Sequence, residues 1–215
     1  MPETLPPEKR QSLQPAYLGR TYWKVMTSPP FLLACAALSL NFAGFFIYVL
    51  SAPVFLMQHL GIPETGFLWL FGPAMAGLMG GSWLSGQLAG KITMSRTIAL
   101  GYLVMSSAVL GNVSLNLVLP PALPWSVMPL FIYTLGMSLT MPSLTILALD
   151  PFPEQRGLAA SCQTFFQSGF NSLAAALIAP ALWGSTLTLA LGMAGLMTLG
   201  GIAALAHQKL RLLPR

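Results

Sequence analysis

Residues 31–50 read FLLACAALSLNFAGFFIYVL, twenty positions without an Asp, Glu, Lys, Arg or His. A helix needs about 20 predominantly apolar residues to cross a hydrocarbon core about 30 Å thick, and this run meets that length. Working outward, the same uncharged pattern returns at 66–86, 97–119, 126–149, 158–179 and 186–206. Breaker residues punctuate the links: Pro53, Gly61 and Pro63 after the first run, Pro120, Pro121 and Pro124 after the third, and Pro180 after the fifth. Six spans joined by short links must alternate in direction. Both chain ends therefore fall on one side.

Composition excludes the competing classes. Only 7% of the 215 residues are charged and 55% are hydrophobic, where a water-soluble domain carries about 25% charged residues. Too few charges exist to cover a water-facing surface, so the solvent must be lipid. The net charge of +5 comes from dispersed Lys and Arg, which build no phosphate-tracking groove, so no nucleic acid is expected as a partner. Cys35 and Cys162 lie in apolar runs without a partner at metal or redox spacing, and read as packing residues. His59 and His207 fall at opposite membrane faces in this topology. That leaves no metal site and no Ser–His pair, and no phosphate-binding glycine loop with a Lys is present. No cofactor and no catalytic residue are expected, and an enzyme reading has no candidate residues to rest on.

The basic residues orient the spans. Lys9, Arg10, Arg20 and Lys24 precede the first; Lys91 and Arg96 lie in the second link, Arg156 in the fourth, and Lys209, Arg211 and Arg215 in the tail. All sit on one side, which the positive-inside rule assigns to the cytoplasm. Residues 1–30 read as a cytoplasmic connector, 31–207 as a six-helix transmembrane domain and 208–215 as a cytoplasmic tail. No cleavable leader is expected, because a long mixed segment precedes the first span and no small-residue cleavage pattern follows it. Two readings stay open for 14–27: an irregular linker, or a surface helix turning Tyr17, Leu18, Tyr22, Trp23 and Val25 toward lipid headgroups.

Several spans carry more than apolar bulk. Gly77 and Gly81 are four residues apart, as are Gly86 and Gly90, a spacing that lets another helix approach closely. The fourth span holds Gly136, then Pro142, whose ring removes a backbone hydrogen bond and kinks a helix; Ser138, Pro142 and Thr145 share a face. Gln163, Gln167 and Asn171, at i, i+4 and i+8, form a polar stripe in the fifth span, with Phe165, Phe166 and Phe170 between them. Amides are costly against lipid, so the stripe faces either a cavity or neighbouring helices. Amides beside aromatics suit an amphiphilic organic molecule. Asn41, Phe45 and Tyr48 share a face of the first span, Asn112 and Asn116 lie near the outer end of the third, and Trp69, Trp125 and Tyr133 read as interfacial anchors.

Some stretches match a known family in wording. Pro2-Glu3-Thr4-Leu5-Pro6-Pro7-Glu8-Lys9-Arg10 resembles the start of the central cytoplasmic loop in major facilitator drug exporters. Residues 136–169, GMSLTMPSLTILALDPFPEQRGLAASCQTFFQSG, are similar to the tenth and eleventh helices of the Bcr/CflA group of multidrug-resistance transporters. The matching elements are Gly136, Pro142, Ala148-Leu149, Pro151-Phe152-Pro153, Gly157, Ala160-Ser161 and Gln163. Ser51-Ala52-Pro53-Val54-Phe55 is similar to the segment closing that group's seventh helix, where Pro more often directly follows Ser. The link at 86–96 keeps only Lys91 and Arg96 of the several Arg and Gly the family often has there.

The resemblance implies an all-α membrane protein whose six transmembrane helices form a 3+3 inverted repeat, half of a twelve-helix fold. It implies the carboxyl-terminal half of a proton-coupled exporter of drugs or small amphiphilic molecules in the bacterial inner membrane. Asn41, Phe45, Tyr48, Ser138, Gln163, Phe166, Gln167 and Asn171 would line the substrate cavity, with Pro142, Gly77, Gly81 and Gly136 serving kink and packing. Its partners would be the lipid bilayer, a small-molecule substrate, and an amino-terminal six-helix half or a second copy; protons would pass through that other half. Met1 stands where mid-loop sequence would run, as expected of a truncated or split gene, a misassigned start, or one half expressed by itself. Alone, the chain is expected not to transport. The alternative is a six-helix scaffold or regulatory partner without a substrate.

Overall fold

The computed structural model describes residues 15–212. The motif at Pro2–Arg10 and the terminal Arg215 lie outside the described residues. The helices are α1 (Pro15–Met26), α2 (Pro29–Leu50), α3 (Leu68–Leu88), α4 (Met94–Val118), α5 (Met128–Leu149), α6 (Arg156–Leu173), the short α7 (Ala179–Ala181) and α8 (Thr186–Leu212). A π-helical turn, Val54–His59, and a 3-10 turn, Glu64–Phe67, lie between α2 and α3. A second π-helical turn, Ala174–Ile178, carries α6 into α7. No strand occurs among the described residues.

Five helical segments are long and apolar enough to cross a membrane: Pro29–Leu50, Glu64–Leu88, Met94–Val118, Met128–Leu149 and Thr186–Arg211. The fifth expected span is helical from α6 through α7, yet it falls short of the apolar character of the other five. The amides and hydroxyls of 161–172 are the reason. Side chains such as Gln163, Gln167 and Asn171 belong against protein or water rather than lipid.

Packing largely repeats itself. α2 packs on α5, α6 and α8; α5 packs on α2, α3 and α4 and touches α6; α4 also meets α8. Exchanging α2, α3 and α4 for α5, α6 and α8 preserves the main contacts: α3 on α5 becomes α6 on α2, and α4 on α5 becomes α8 on α2, while the small α5–α6 contact has no α2–α3 counterpart of its size. With the helices alternating in direction, this is the pattern of a 3+3 inverted repeat. α2 and α5 are its two central helices and are the most buried.

Glycines set the closest approaches. A Cβ on Gly77 would strike Thr134 Oγ1 and the Phe131 carbonyl, and one on Gly81 would strike Ser138 Oγ and the Leu135 carbonyl. α3 therefore rests its backbone directly on α5. On the other side of α5, a Cβ on Gly136 would lie 2.7 Å from the Gly101 carbonyl and 2.9 Å from Met105 Cγ. Gly86 and Gly90 behave otherwise. Gly86 has nothing near it, and Gly90 lies beyond the end of α3 with φ +77°, in the left-handed region that ends a helix at glycine.

α1 is helical, which settles the open choice for that segment. Trp23 and Tyr22 are exposed, but Val25 is fully buried, packed with Phe31, Phe152 and Ala159 instead of facing headgroups. Val25 sits one turn from the start of α2, and the chain reversal there folds it onto the bundle end. Tyr17 Oη accepts from Gln155 Nε2 at 3.2 Å, tying α1 to the link before α6. Asp150 reaches Arg156 and Arg211, both at 3.9 Å, so the ends of α5 and α8 meet there. At the opposite end, Trp183 Nε1 donates to the buried Ser51 Oγ at 2.9 Å, and His59 Nε2 lies 3.0 Å from the Trp183 carbonyl. Cys35 and Cys162 are buried in one cluster with Phe31 and Phe152.

Candidate functional site

α6 owes its orientation to the spacing of its apolar residues. Ala159, Cys162 and Phe166 pack into the cluster with α2 and α1, and Phe170 packs against the central core. Residues 159, 162, 166 and 170 span one face of a 3.6-residue helix. The stripe of Gln163, Gln167 and Asn171 must then lie along one flank of that buried face, and all three are half-buried there. Phe165 points the other way and is 71% exposed.

The flank looks toward α5. Gln163 Nε2 donates to Thr145 Oγ1 at 3.5 Å, a long bond that is the one direct polar tie between the stripe and α5 among the described residues. Gln163 Oε1 and Asn171 Oδ1 are both out of reach of solvent and have no hydrogen-bond partner. An amide oxygen buried without a partner costs about 1–3 kcal/mol. Ser39 Oγ and Asn41 Oδ1 on α2 are also buried without a partner, so what sets the α6 pair apart is its half-buried residues beside the exposed Pro142.

On α5, Ser138, Pro142 and Thr145 form the facing row. Ser138 is buried under α3, where its Oγ donates to the Leu135 carbonyl at 3.3 Å and approaches the Gly77 carbonyl at 3.5 Å. Farther along, Pro142 is exposed and α5 continues through it as a single helix. The row is thus covered by α3 in its first half and open in its second, where α6 brings up its amides.

The first-span candidates lie elsewhere. Asn41 is fully buried, with Phe45 4% and Tyr48 1% exposed. They share a face as their spacing requires, and that face turns into the bundle. Asn41 Nδ2 donates to Tyr102 Oη at 2.8 Å, and Tyr48 Oη accepts from Asn112 Nδ2 at 2.8 Å. A residue lining a cavity at an open face of this unit would be exposed on it. Asn41, Phe45 and Tyr48 instead join helices. Tyr133, expected at the membrane interface, is fully buried and donates from Oη to the Asn41 carbonyl at 2.9 Å, because α2 crosses α5 there. Asn116 leans back onto Asn112, donating to its carbonyl at 2.8 Å and to its Oδ1 at 3.0 Å.

Sequence reading missed Tyr102. Its signal was present: residues 101, 105, 108, 109 and 112 are the buried face of α4, and Tyr102 flanks it. Among the described residues no three His, Cys, Asp or Glu come together as a metal site would require.

Similar proteins agree with this architecture. A family model described as Major Facilitator Superfamily matches residues 2–175. The Multidrug transporter protein MdtP of Bacillus subtilis is 31% identical over 136 residues, covering 60% of this chain and 25% of that protein. The Multidrug resistance protein MdtM of Salmonella typhimurium is 26% identical over 125 residues, covering 58% of this chain and 30% of that protein. The match therefore spans only a quarter to under a third of the length of these curated relatives. With apolar helices of membrane-crossing length, an inverted-repeat contact pattern and a family match over most of its residues, the chain belongs to the Major Facilitator Superfamily.

Proposed function

We propose that this chain acts as the carboxyl-terminal half of a proton-coupled exporter of drugs or other small amphiphilic organic molecules. The names of two relatives, a multidrug transporter and a multidrug resistance protein, support the substrate class. The observation that carries the reading is the α6 flank, where Gln163 Oε1 and Asn171 Oδ1 are buried without a partner beside the exposed Pro142 of α5. With their side chains turned outward, those oxygens could accept hydrogen bonds from a bound molecule, while Phe166 and Gln167 supply apolar and amide surface next to them. Ser138, Gly77, Gly81 and Gly136 hold α3 and α4 against α5 and so fix the floor of this face.

The membrane is the bacterial inner membrane, and the basic side is cytoplasmic. Residues 1–30 form a connector, 31–207 the transmembrane domain and 208–215 a tail. No Asp or Glu lies within α2–α6 or α8 apart from the ends, so proton coupling belongs to an amino-terminal six-helix half, or the chain works as a pair of copies. The test is reconstitution in vesicles carrying a proton gradient, with a fluorescent lipophilic cation as substrate. The chain alone should give no gradient-dependent efflux, and the chain co-expressed with an amino-terminal half should restore it. Efflux by the isolated monomer, or none in any pairing, rejects the proposal; the second result leaves the scaffold reading in its place.

A further inference from the structure

On the flank away from α6, a groove of about 420 Å³ runs between α4 and α8. It extends along α4 from Ser95 to Ser106. At a rise of 1.5 Å per residue that stretch covers about 16 Å, the depth of one leaflet in a hydrocarbon core about 30 Å thick. Ile202 and Leu205 line it and are 57% and 61% exposed, so the groove opens sideways where lipid lies. Gly201 lines it opposite Tyr102, where a Cβ would lie 3.4 Å from the ring, so a larger side chain would take up the space.

Inside, the polar groups are satisfied by the protein itself. Thr198 Oγ1 donates to the Ala194 carbonyl at 2.7 Å, and Tyr102 Oη accepts from Asn41. The middle of the groove therefore suits a hydrocarbon chain rather than a polar guest. Its mouth differs. Ser95 and Gln208 line that end, and a second hollow sharing Ala99 with the groove is lined by Arg96. Lys209 follows Gln208 and is exposed. Among the described residues neither Arg96 nor Lys209 has an ion-pair partner. Of the described acids, Glu64 is in the link at the opposite end, Asp150 is paired with Arg156 and Arg211, and Glu154 is in the link before α6; none lines the groove.

We propose that this groove is a binding site for an anionic phospholipid of the leaflet on the basic side. One acyl chain lies between α4 and α8 past Tyr102 and Gly201, and the headgroup phosphate sits between Arg96 and Lys209. An uncharged chain length equal to one leaflet, capped by two unpaired cations, matches an anionic lipid in both its parts. A zwitterionic lipid would place its ammonium group among cations where no described acid lines the groove.

The test uses the 215-residue chain in detergent, followed by native mass spectrometry with phosphatidylglycerol and phosphatidylcholine of identical chains. Phosphatidylglycerol should be retained in preference by roughly tenfold, since each interfacial cation attracts an anionic headgroup. Arg96→Gln with Lys209→Gln should bring the preference close to one while leaving the melting temperature unchanged, both residues being exposed. Gly201→Leu, which fills the groove, should lower retention of both lipids and keep the preference. Equal retention of the two lipids by the unmodified chain would overturn the site. Retention unaffected by either change would do the same. So would displacement of the lipid by glycerol phosphate, which carries the headgroup chemistry without a chain.

Discussion

Asn112 of α4 donates to the hydroxyl of Tyr48 of α2 at 2.8 Å, and one side chain holds together two helices that both pack on α5 and α8. Two turns earlier on α2 the roles reverse, with Asn41 donating to Tyr102 of α4 at 2.8 Å. Such bonds between membrane helices are each worth roughly 0.6–2 kcal/mol. Tyr48→Phe should therefore destabilise the chain by about 1 kcal/mol. Asn112→Leu made on that background should cost less than Asn112→Leu alone, because the shared bond is already gone. A double-mutant cycle followed by denaturant unfolding in detergent reads both numbers.

The contact between α3 and α5 depends on the absence of a side chain at two places. Gly81→Val should destabilise by more than about 2 kcal/mol, because the added carbon meets the Leu135 carbonyl and Ser138 Oγ, neither of which can move far. Gly86→Ala, five residues along the same helix with open space around it, should be neutral or stabilising by up to about 1 kcal/mol. Equal losses at both positions would mean that the close approach does not hold α3 in place.

Gln163→Leu separates stability from binding. The change gives up a 3.5 Å bond to Thr145 and removes an amide oxygen that is buried without a partner. Its effect on unfolding should be within about 1 kcal/mol of zero, because the two terms oppose each other. In a chain paired with an amino-terminal half, the same substitution should lower efflux several-fold. A large loss of stability with unchanged efflux would make Gln163 a packing residue.

Labelling should distinguish the two polar faces. Asn171→Cys is expected to react with a membrane-impermeant maleimide once the chain is paired, since the α6 flank would border water. Asn41→Cys is fully enclosed by α2, α4 and α8 and should stay unreactive until the protein is unfolded. The native Cys35 and Cys162 are buried and set a low background. Reaction at 41 with silence at 171 would reverse the assignment of the faces.

The spans could be read from residues alone because lipid imposes a length and excludes charge, and both constraints are visible without a fold. Gly77, Gly81 and Gly136 were legible for the same kind of reason: close helix approach needs a missing side chain wherever the partner lies. Which way a polar residue faces was not. Asn41 and Gln163 are each one amide in an apolar run, yet one is enclosed by three helices and the other borders an open flank. The difference is set by neighbours some 60 to 160 positions away in the chain, such as Tyr102 and Gly200 around Asn41. Local spacing assigns residues to a common face; only packing decides what that face meets. Val25 and Tyr133 show the same effect, since an amphipathic pattern looks alike whether the apolar side meets lipid or protein.

The fastenings at the two ends of the bundle have a mechanical meaning. At one end the Trp183 indole is clasped by Ser51 and His59; at the other, Asp150 grips Arg211 across the end of α8. The first clasp joins segments from both members of the inverted repeat, while the second ties α5 to α8 within one member. A unit pinned across its seam at one end, with α3 and α4 packed on α5 and α8 packed on α2, resists opening like a book along that seam.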